Sequence, residues 1–316
     1  MQKDRPSIQE VALRLKDFIF LDTVDKFNVF DKTEFENFID TAFENIAVDL
    51  TPDVTTVDFT NSDDMTRFVN ELYSTFNKLF NEGRSVSNII NNFISEHSKN
   101  NEEVFTWLLI HNNNARNICL LGLFYSWNIG TDETNVNVFN LFTESAKKGD
   151  TIAQYFVAKC YELGWNTKKN RTKAIEGYTK AIEKGCTAAE RMLGEYFYRL
   201  RSYTRAFKYL NKAADKGNIL AMHTLGLCYQ EGYGTYNDVV KAFKLFKESA
   251  EKGLSISQYE LGYCYEYGKG TEKNLEKALN WYQKATKQDY TYHNHLTRIE
   301  AQINRKTVPR QTQPAA

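Results

Sequence analysis

His293 and His295 stand close enough along the chain to share a metal ion, the chemistry that paired imidazoles serve best. No carboxylate or thiolate lies at a spacing that would complete the ligand set, so both read as solvated polar positions. His97, His111 and His223 stand apart from them. The five cysteines, Cys119, Cys160, Cys186, Cys228 and Cys264, form no C-x-x-C pair and have no histidine at zinc spacing. They read as buried thiols rather than disulfide or metal ligands. No G-x-S-x-G elbow and no phosphate-cradling loop followed by lysine occurs. The glycines of EGYGT and EYGKGT follow helical patterns, not strands, which excludes a nucleotide loop. No cofactor or small-molecule substrate is therefore expected.

Recognition of a polypeptide is the chemistry that remains, and aromatic and arginine side chains dominate such binding. Residues of this kind recur at matched spacing: Tyr155 and Lys159, Arg191 and Glu195, His223 and Leu227, Tyr259 and Tyr263. They belong to a stripe at i, i+3, i+7, i+10 that also includes Ile152, Glu162, Tyr198, Gln230 and Glu266. The stripe is expected to line a concave groove. The same aromatics would equally serve to bridge neighbouring repeats.

The elements that must position them are helix pairs. TIAQYFVAKCYELGW from Thr151, TAAERMLGEYFYRL from Thr187, ILAMHTLGLCYQEGYGT from Ile219 and SISQYELGYCYEYGKGT from Ser255 align, with a looser copy, ARNICLLGLFYSWNIGT, from Ala115. Each is followed by a second helix such as KAFKLFKESAEKGL or KALNWYQKATKQDY. Gly149, Gly185, Gly217 and Gly253 are separated by 36, 32 and 36 residues, with Asp289 a further 36 on. A period of this size means stacked helix pairs. Gly194, Gly226 and Gly262 sit inside the first helices, at a cost of about 1 kcal/mol each. Close approach of a neighbouring helix backbone is the expected compensation. Tyr161, Tyr229 and Tyr265 fall on the same face, three residues on. In the second helices Ala242, Phe243 and Phe246, matched by Ala278, Leu279 and Tyr282, form one apolar stripe. RLRSYTRA replaces the glycine loop in the unit beginning at Thr187, predicting a tighter turn and a local change of superhelix pitch.

The pattern A-x-x-x-L-G-x-x-Y, a G-x-G-T loop and K-A-x-x-W/Y-x-K-A resembles the Sel-one-like repeat (SLR) family, relatives of tetratricopeptide repeats. The resemblance covers about residues 115–290. It implies an all-α superhelix that serves as an adaptor or scaffold for proteins or peptides, with no catalysis. Some bacterial relatives pair cysteines within each unit, whereas this chain carries mostly single ones.

The segment RPSIQEVALRL, from Arg5 to Leu15, resembles the closing helix of a protein kinase domain. The resemblance would pair Arg5 with the glutamate of an A-P-E segment and place Ile8, Val11 and Leu15 on the core of the larger lobe. No glycine-rich loop, V-A-I-K lysine, H-R-D loop or D-F-G is present in the sequence. A plain capping box, Ser7 with Glu10 after Pro6, explains the same helix start. A kinase–SLR architecture of fungal type, truncated to its last kinase helix, is the expected ancestry. The first helix is then loosely attached or docked on the flank.

The resulting organisation is a kinase-helix remnant over 1–20, a helical linker and N-terminal cap over 21–114, the solenoid over 115–290, and a capping helix with a disordered tail over 291–316. The helix pair from Ser85 to Asn114 is the cap proper. The 40 basic and 40 acidic residues cancel, giving no general attraction to nucleic acid or anionic membrane. MQKDRPSIQE lacks the apolar core of a signal peptide, so a cytoplasmic protein is expected. The expected function is a non-enzymatic signalling adaptor; the alternative is the regulatory half of a longer kinase.

Overall fold

The computed structural model describes residues 62–307. The kinase-like stretch Arg5–Leu15, the part of the helical linker before residue 62 and the tail from 308 lie outside these. The chain falls into two compact units, residues 1–66 and 67–316.

The described residues contain fourteen α-helices and no strand. They are α1 (Ser62–Asn81), α2 (Val86–Glu96), α3 (Asn101–Ile110), α4 (Ala115–Ser126), α5 (Val138–Lys147), α6 (Thr151–Leu163), α7 (Arg171–Glu183), α8 (Thr187–Arg199), α9 (Tyr203–Asp215), α10 (Ile219–Glu231), α11 (Val239–Glu251), α12 (Ser255–Tyr267), α13 (Leu275–Gln288) and α14 (His293–Thr307). A short 3-10 turn, Tyr290–Tyr292, precedes α14. The architecture is an all-α repeat superhelix of consecutive helix pairs. Asx caps set most helix starts: Asn114, Asp150, Asn170, Asn218, Asp238 and Asn274 each accept a first-turn backbone N–H.

One contact joins the two helices of a unit. A Cβ added to Gly122, Gly194, Gly226 or Gly262 would stand 2.7, 2.7, 2.6 or 2.8 Å from the side chain of Phe142, Leu210, Phe246 or Tyr282. What approaches each glycine is thus a second-helix side chain, not the backbone expected from sequence. In α6–α7 the arrangement is reversed. Ala158 takes the glycine's place, and Gly177 in α7 faces it, a Cβ there standing 2.8 Å from that of Ala158. Phe243 and Leu279 are only half-buried, so the buried second-helix stripe runs through Ala242 and Phe246, or Ala278 and Tyr282.

A second set of contacts joins successive units. Phe105, Phe139, Phe207 and Phe243 meet Tyr125, Tyr161, Tyr229 and Tyr265 of the next first helix edge-on, with centroids 5.2, 5.2, 5.4 and 5.4 Å apart. This geometry suits the ring quadrupole. From the other side Lys173, Lys241 and Lys277 stand 5.2, 5.2 and 5.3 Å above the rings of Tyr161, Tyr229 and Tyr265. Arg205 does the same for Phe197 at 5.6 Å. The loop glycines Gly130, Gly234 and Gly270 press against the first carbonyl of the preceding second helix. A Cβ there would lie 2.3, 2.3 and 2.1 Å from the carbonyl oxygens of Asn101, Tyr203 and Val239. By both criteria, Phe105 on Tyr125 and Asn101 against Gly130, α2–α3 stacks in the register of a repeat. Only Leu200, Arg201 and Ser202 separate α8 from α9, and Arg201 takes a left-handed φ of 57° to close that tight turn.

The exchange of glycine and alanine between α6 and α7 yields a test by double-mutant cycle. Gly177→Ala lowers stability by about 1 kcal/mol, because overpacking outweighs the gain in helix propensity. Ala158→Gly costs a similar amount alone. The double variant is more stable than the sum of the two by about 1 kcal/mol in chemical denaturation; strict additivity would contradict the contact.

Candidate functional site

The stripe expected for recognition lies on the first helices α6, α8, α10 and α12, but most of it is closed to solvent. Tyr155 is fully buried, its ring 5.0 Å from Phe156 and 5.4 Å from Tyr178. Lys159, Arg191, His223 and Leu227 are buried as well. Glu195, Tyr259 and Tyr263 are half-buried. The exposed groove expected at Tyr155, Lys159, Arg191, His223 and Leu227 is therefore corrected. Neighbouring first helices pack directly against one another, and flanking helices cover both ends of the stripe.

A charged network occupies the N-terminal half. Arg191 Nη1 donates to Glu195 Oε1 at 2.5 Å, and Lys159 Nζ lies 3.5 Å from Glu162 Oε2. Tyr178 donates its hydroxyl to Glu162 Oε2 at 2.6 Å, and Arg199 from the next unit pairs with the other carboxylate oxygen. Burial alone would raise the Glu162 carboxyl. Lys159, Arg199 and the hydrogen bonds from Tyr178 and Arg199 outweigh it and hold the group below the ordinary glutamate value. Burial pushes Lys159 down despite the nearby Glu162. The same triad recurs three units on. Tyr282 donates to Glu266 Oε2 at 2.8 Å, and Arg298 of α14 pairs with that oxygen at 2.7 Å. α14 therefore sits where the first helix of a further unit would.

In the C-terminal half, His223 Nδ1 lies 3.2 Å from Ser257 Oγ, and burial lowers its pKa to about 4. The neutral ring packs as core, 5.7 Å from Phe246. Tyr259 stacks on Tyr292 at 4.8 Å and meets His295 edge-on at 4.9 Å. Tyr263 is flanked by Tyr267 and by Lys269, whose ammonium stands 4.7 Å over its ring. His293 stacks on Tyr290 instead of joining His295. Among the described residues no three His, Cys, Asp or Glu side chains gather as a metal site. All five thiols are free and buried, and burial raises those of Cys160, Cys228 and Cys264 to about 12.

α1 falls within the helical linker expected over 21–114, but its seat on the array was not legible in the sequence. Its buried stripe, Phe68, Val69, Leu72, Phe76 and Phe80, lies against the helical array. Phe68 packs on Phe93 at 5.4 Å, Tyr73 donates its hydroxyl to the Asp150 carboxylate, and Phe80 meets Tyr155 and Phe156 at 5.0 and 5.6 Å. At its end Gly83, with φ 88°, closes a Schellman turn through Arg84 N–H to Leu79 O and Gly83 N–H to Phe80 O. The carbonyls this turn leaves over are taken by the array. Asn218 Nδ2 donates to Asn81 O at 2.9 Å, and the Ile219 N–H, at the start of α10, to Glu82 O at 2.8 Å. Asn81 Oδ1 accepts the Ala188 N–H of α8 at 3.2 Å, doing what the N-cap Cys186 side chain does not. A helix C-terminus thus meets two helix N-termini, satisfying orphan groups and aligning opposite dipole ends. The F-x-x-x-F-N-x-G run was the available signal; only its partners, more than 70 residues away, give it meaning.

Residues 151–186, 187–218, 219–254 and 255–290 each match the Sel1 repeat model. Residues 151–290 are a run of Sel1 repeats. The copy beginning at Ala115 lies outside the matched positions. The ERAD-associated E3 ubiquitin-protein ligase component HRD3 of Candida glabrata is 29% identical over 105 residues, 31% of this chain and 13% of that protein. Chitin synthase regulatory factor 1 of Schizosaccharomyces pombe is 27% identical over 119 residues, 35% of this chain and 26% of that protein. The chain therefore spans only 13% and 26% of the lengths of these relatives. A protective antigen of uropathogenic Escherichia coli displaying an SLR fold superposes with a TM-score of 0.56 at 28% identity, over 64% of this chain and 44% of that one. Outside the Sel1 array, too, no described helix is long and apolar enough to cross a membrane.

The Glu162 network makes stability depend on pH with a definite sign. Its folded pKa lies below the unfolded value of about 4.3, so its contribution is complete above about pH 5 and fades as pH falls through the folded value. Glu162→Gln should cost ~2 kcal/mol at pH 7. Denaturation at pH 7 and pH 3 reads the difference, which shrinks at the lower pH; an equal cost at both would contradict the assignment.

Proposed function

We propose that the chain is a non-catalytic scaffold whose Sel1 array binds protein partners along the face of its first helices. The observation that carries this reading is the contrast between repeated and varied positions. The residues that join helices repeat from unit to unit: glycine against a side chain, aromatic edge against ring, cation above it. The stripe reads Tyr and Lys, then Arg and Glu, then His and Leu, then Tyr and Tyr. Where the stripe is closed to solvent its variation follows the facing core residue, but at the positions that reach solvent, Glu195 and Tyr263, packing does not require it. Variety there is what partner selection uses.

The accessible part of that face lies at Glu195 and Tyr263, continued by exposed Tyr267 and by Lys269. An aromatic group bordered by cations suits an acidic or aromatic peptide. With 40 charges of each sign, protein partners fit better than nucleic acid or membrane. Two relatives are named as a ligase component and as a regulatory factor, roles of assembly rather than turnover. A cytoplasmic signalling setting is the one we infer. RPSIQEVALRL supports a second reading, in which the chain is the non-catalytic part of a kinase–SLR protein.

The test compares protein sets captured by affinity purification. The triple variant Tyr263→Ser, Tyr267→Ser, Lys269→Glu loses at least one partner by about tenfold, a hot-spot-sized effect. The control Lys180→Glu, Lys244→Glu, on exposed second-helix positions, keeps it. Loss in both variants, or in neither, contradicts a first-helix site.

A further inference from the structure

We propose that residues 68–84 are a built-in ligand of the Sel1 array, and that a partner helix of the same chemistry replaces them. The inference rests on the reading of the array as a protein-binding scaffold and names the kind of partner.

The seat has three parts, each made by a different first helix. Tyr155 and Phe156 of α6 form an aromatic floor that receives Phe80. The Tyr155 hydroxyl beneath it is buried and has no hydrogen-bond partner among the described residues. The start of α8 presents the Ala188 N–H, which its own N-cap residue leaves uncapped. The start of α10 presents the Ile219 N–H and the Asn218 amide. The occupant answers part by part: a ring, then the amide oxygen of Asn81, then the carbonyls of Asn81 and Glu82. It leaves over Gly83, where a Cβ would stand 3.0 Å from Asn218 Oδ1. Arg84 then reaches Gly253, at the turn before α12.

Nothing in this recognition depends on covalent connection to the array. It uses a ring, an amide and main-chain carbonyls, the means by which a groove takes an amphipathic helix. The replacing partner is defined accordingly: a helix with aromatic residues four apart, then asparagine, ending at a glycine turn. While tethered, residues 68–84 act at an effective concentration on the order of millimolar and keep such a partner out.

The experiment uses the full chain and a labelled synthetic peptide of residues 67–84, read by fluorescence anisotropy. The wild-type chain does not bind the peptide at micromolar concentration, because its own segment holds the seat. Phe80→Ala, and more so Phe76→Ala with Phe80→Ala, open the seat, so the peptide binds at least tenfold more tightly than to wild type. A peptide carrying Phe80→Ala loses that gain. Circular dichroism and a single thermal transition establish that the variants remain folded. Equal binding to wild type and variants, or none to folded variants, overturns the proposal. Collapse of both variants into unfolded chain overturns it as well, since α1 is then part of the core. If the peptide fails while the Tyr263 variant still loses its partner, the scaffold reading stands and only this inference falls.

Discussion

The close approach of one side chain to one glycine in each unit is the constraint on which the rest of the structure depends. A ring or leucine of the second helix occupies the space a Cβ would fill at Gly122, Gly194, Gly226 and Gly262. That contact sets the separation of the two helices, because protein interiors are packed too tightly to absorb another methyl group freely. The alanine at 158 shows that the requirement belongs to the pair and not to the position. There the missing side chain has moved to Gly177 on the facing helix.

Fixed spacing within the unit brings successive first helices side by side, and the buried ionic network follows from that proximity. Glu162 accepts from Tyr178 of its own unit and pairs with Arg199 of the next; Glu266, Tyr282 and Arg298 repeat the arrangement. Where the carboxylate is replaced by Tyr198 or Gln230, the facing position is apolar, Leu210 or Phe246. Polar and apolar partners change together, as the cost of leaving a buried charge unpaired requires. The aligned helix starts also create the ends that α1 meets with its carbonyls.

Local rules were legible in the sequence, and long-range occupancy was not. The period, the glycines inside the first helices and the tight turn at Leu200–Ser202 are properties of neighbouring residues, and propensity and spacing reveal those. The fold followed from them. The stripe expected for recognition falls on the first helices of the units, yet most of it is closed to solvent. Tyr155 and Tyr259 are covered by Phe80 and by Tyr292 and His295, residues from segments with no repeat pattern to mark their destination. Asn81 likewise looks like an ordinary residue at a helix end. Its role as the cap of α8 depends on Cys186, a hundred residues later, lacking one.

The starts of α8 and α10 are capped by the segment that precedes the array. Site-resolved amide exchange at Ala188 and Ile219 tests this capping most directly. First-turn amides have no intrahelical acceptor and ordinarily exchange fast. Both should be protected in the intact chain, and Asn81→Ala should free Ala188 while Ile219, held by the Glu82 carbonyl, stays slow. Fast exchange at both sites in the wild-type protein would contradict the capping.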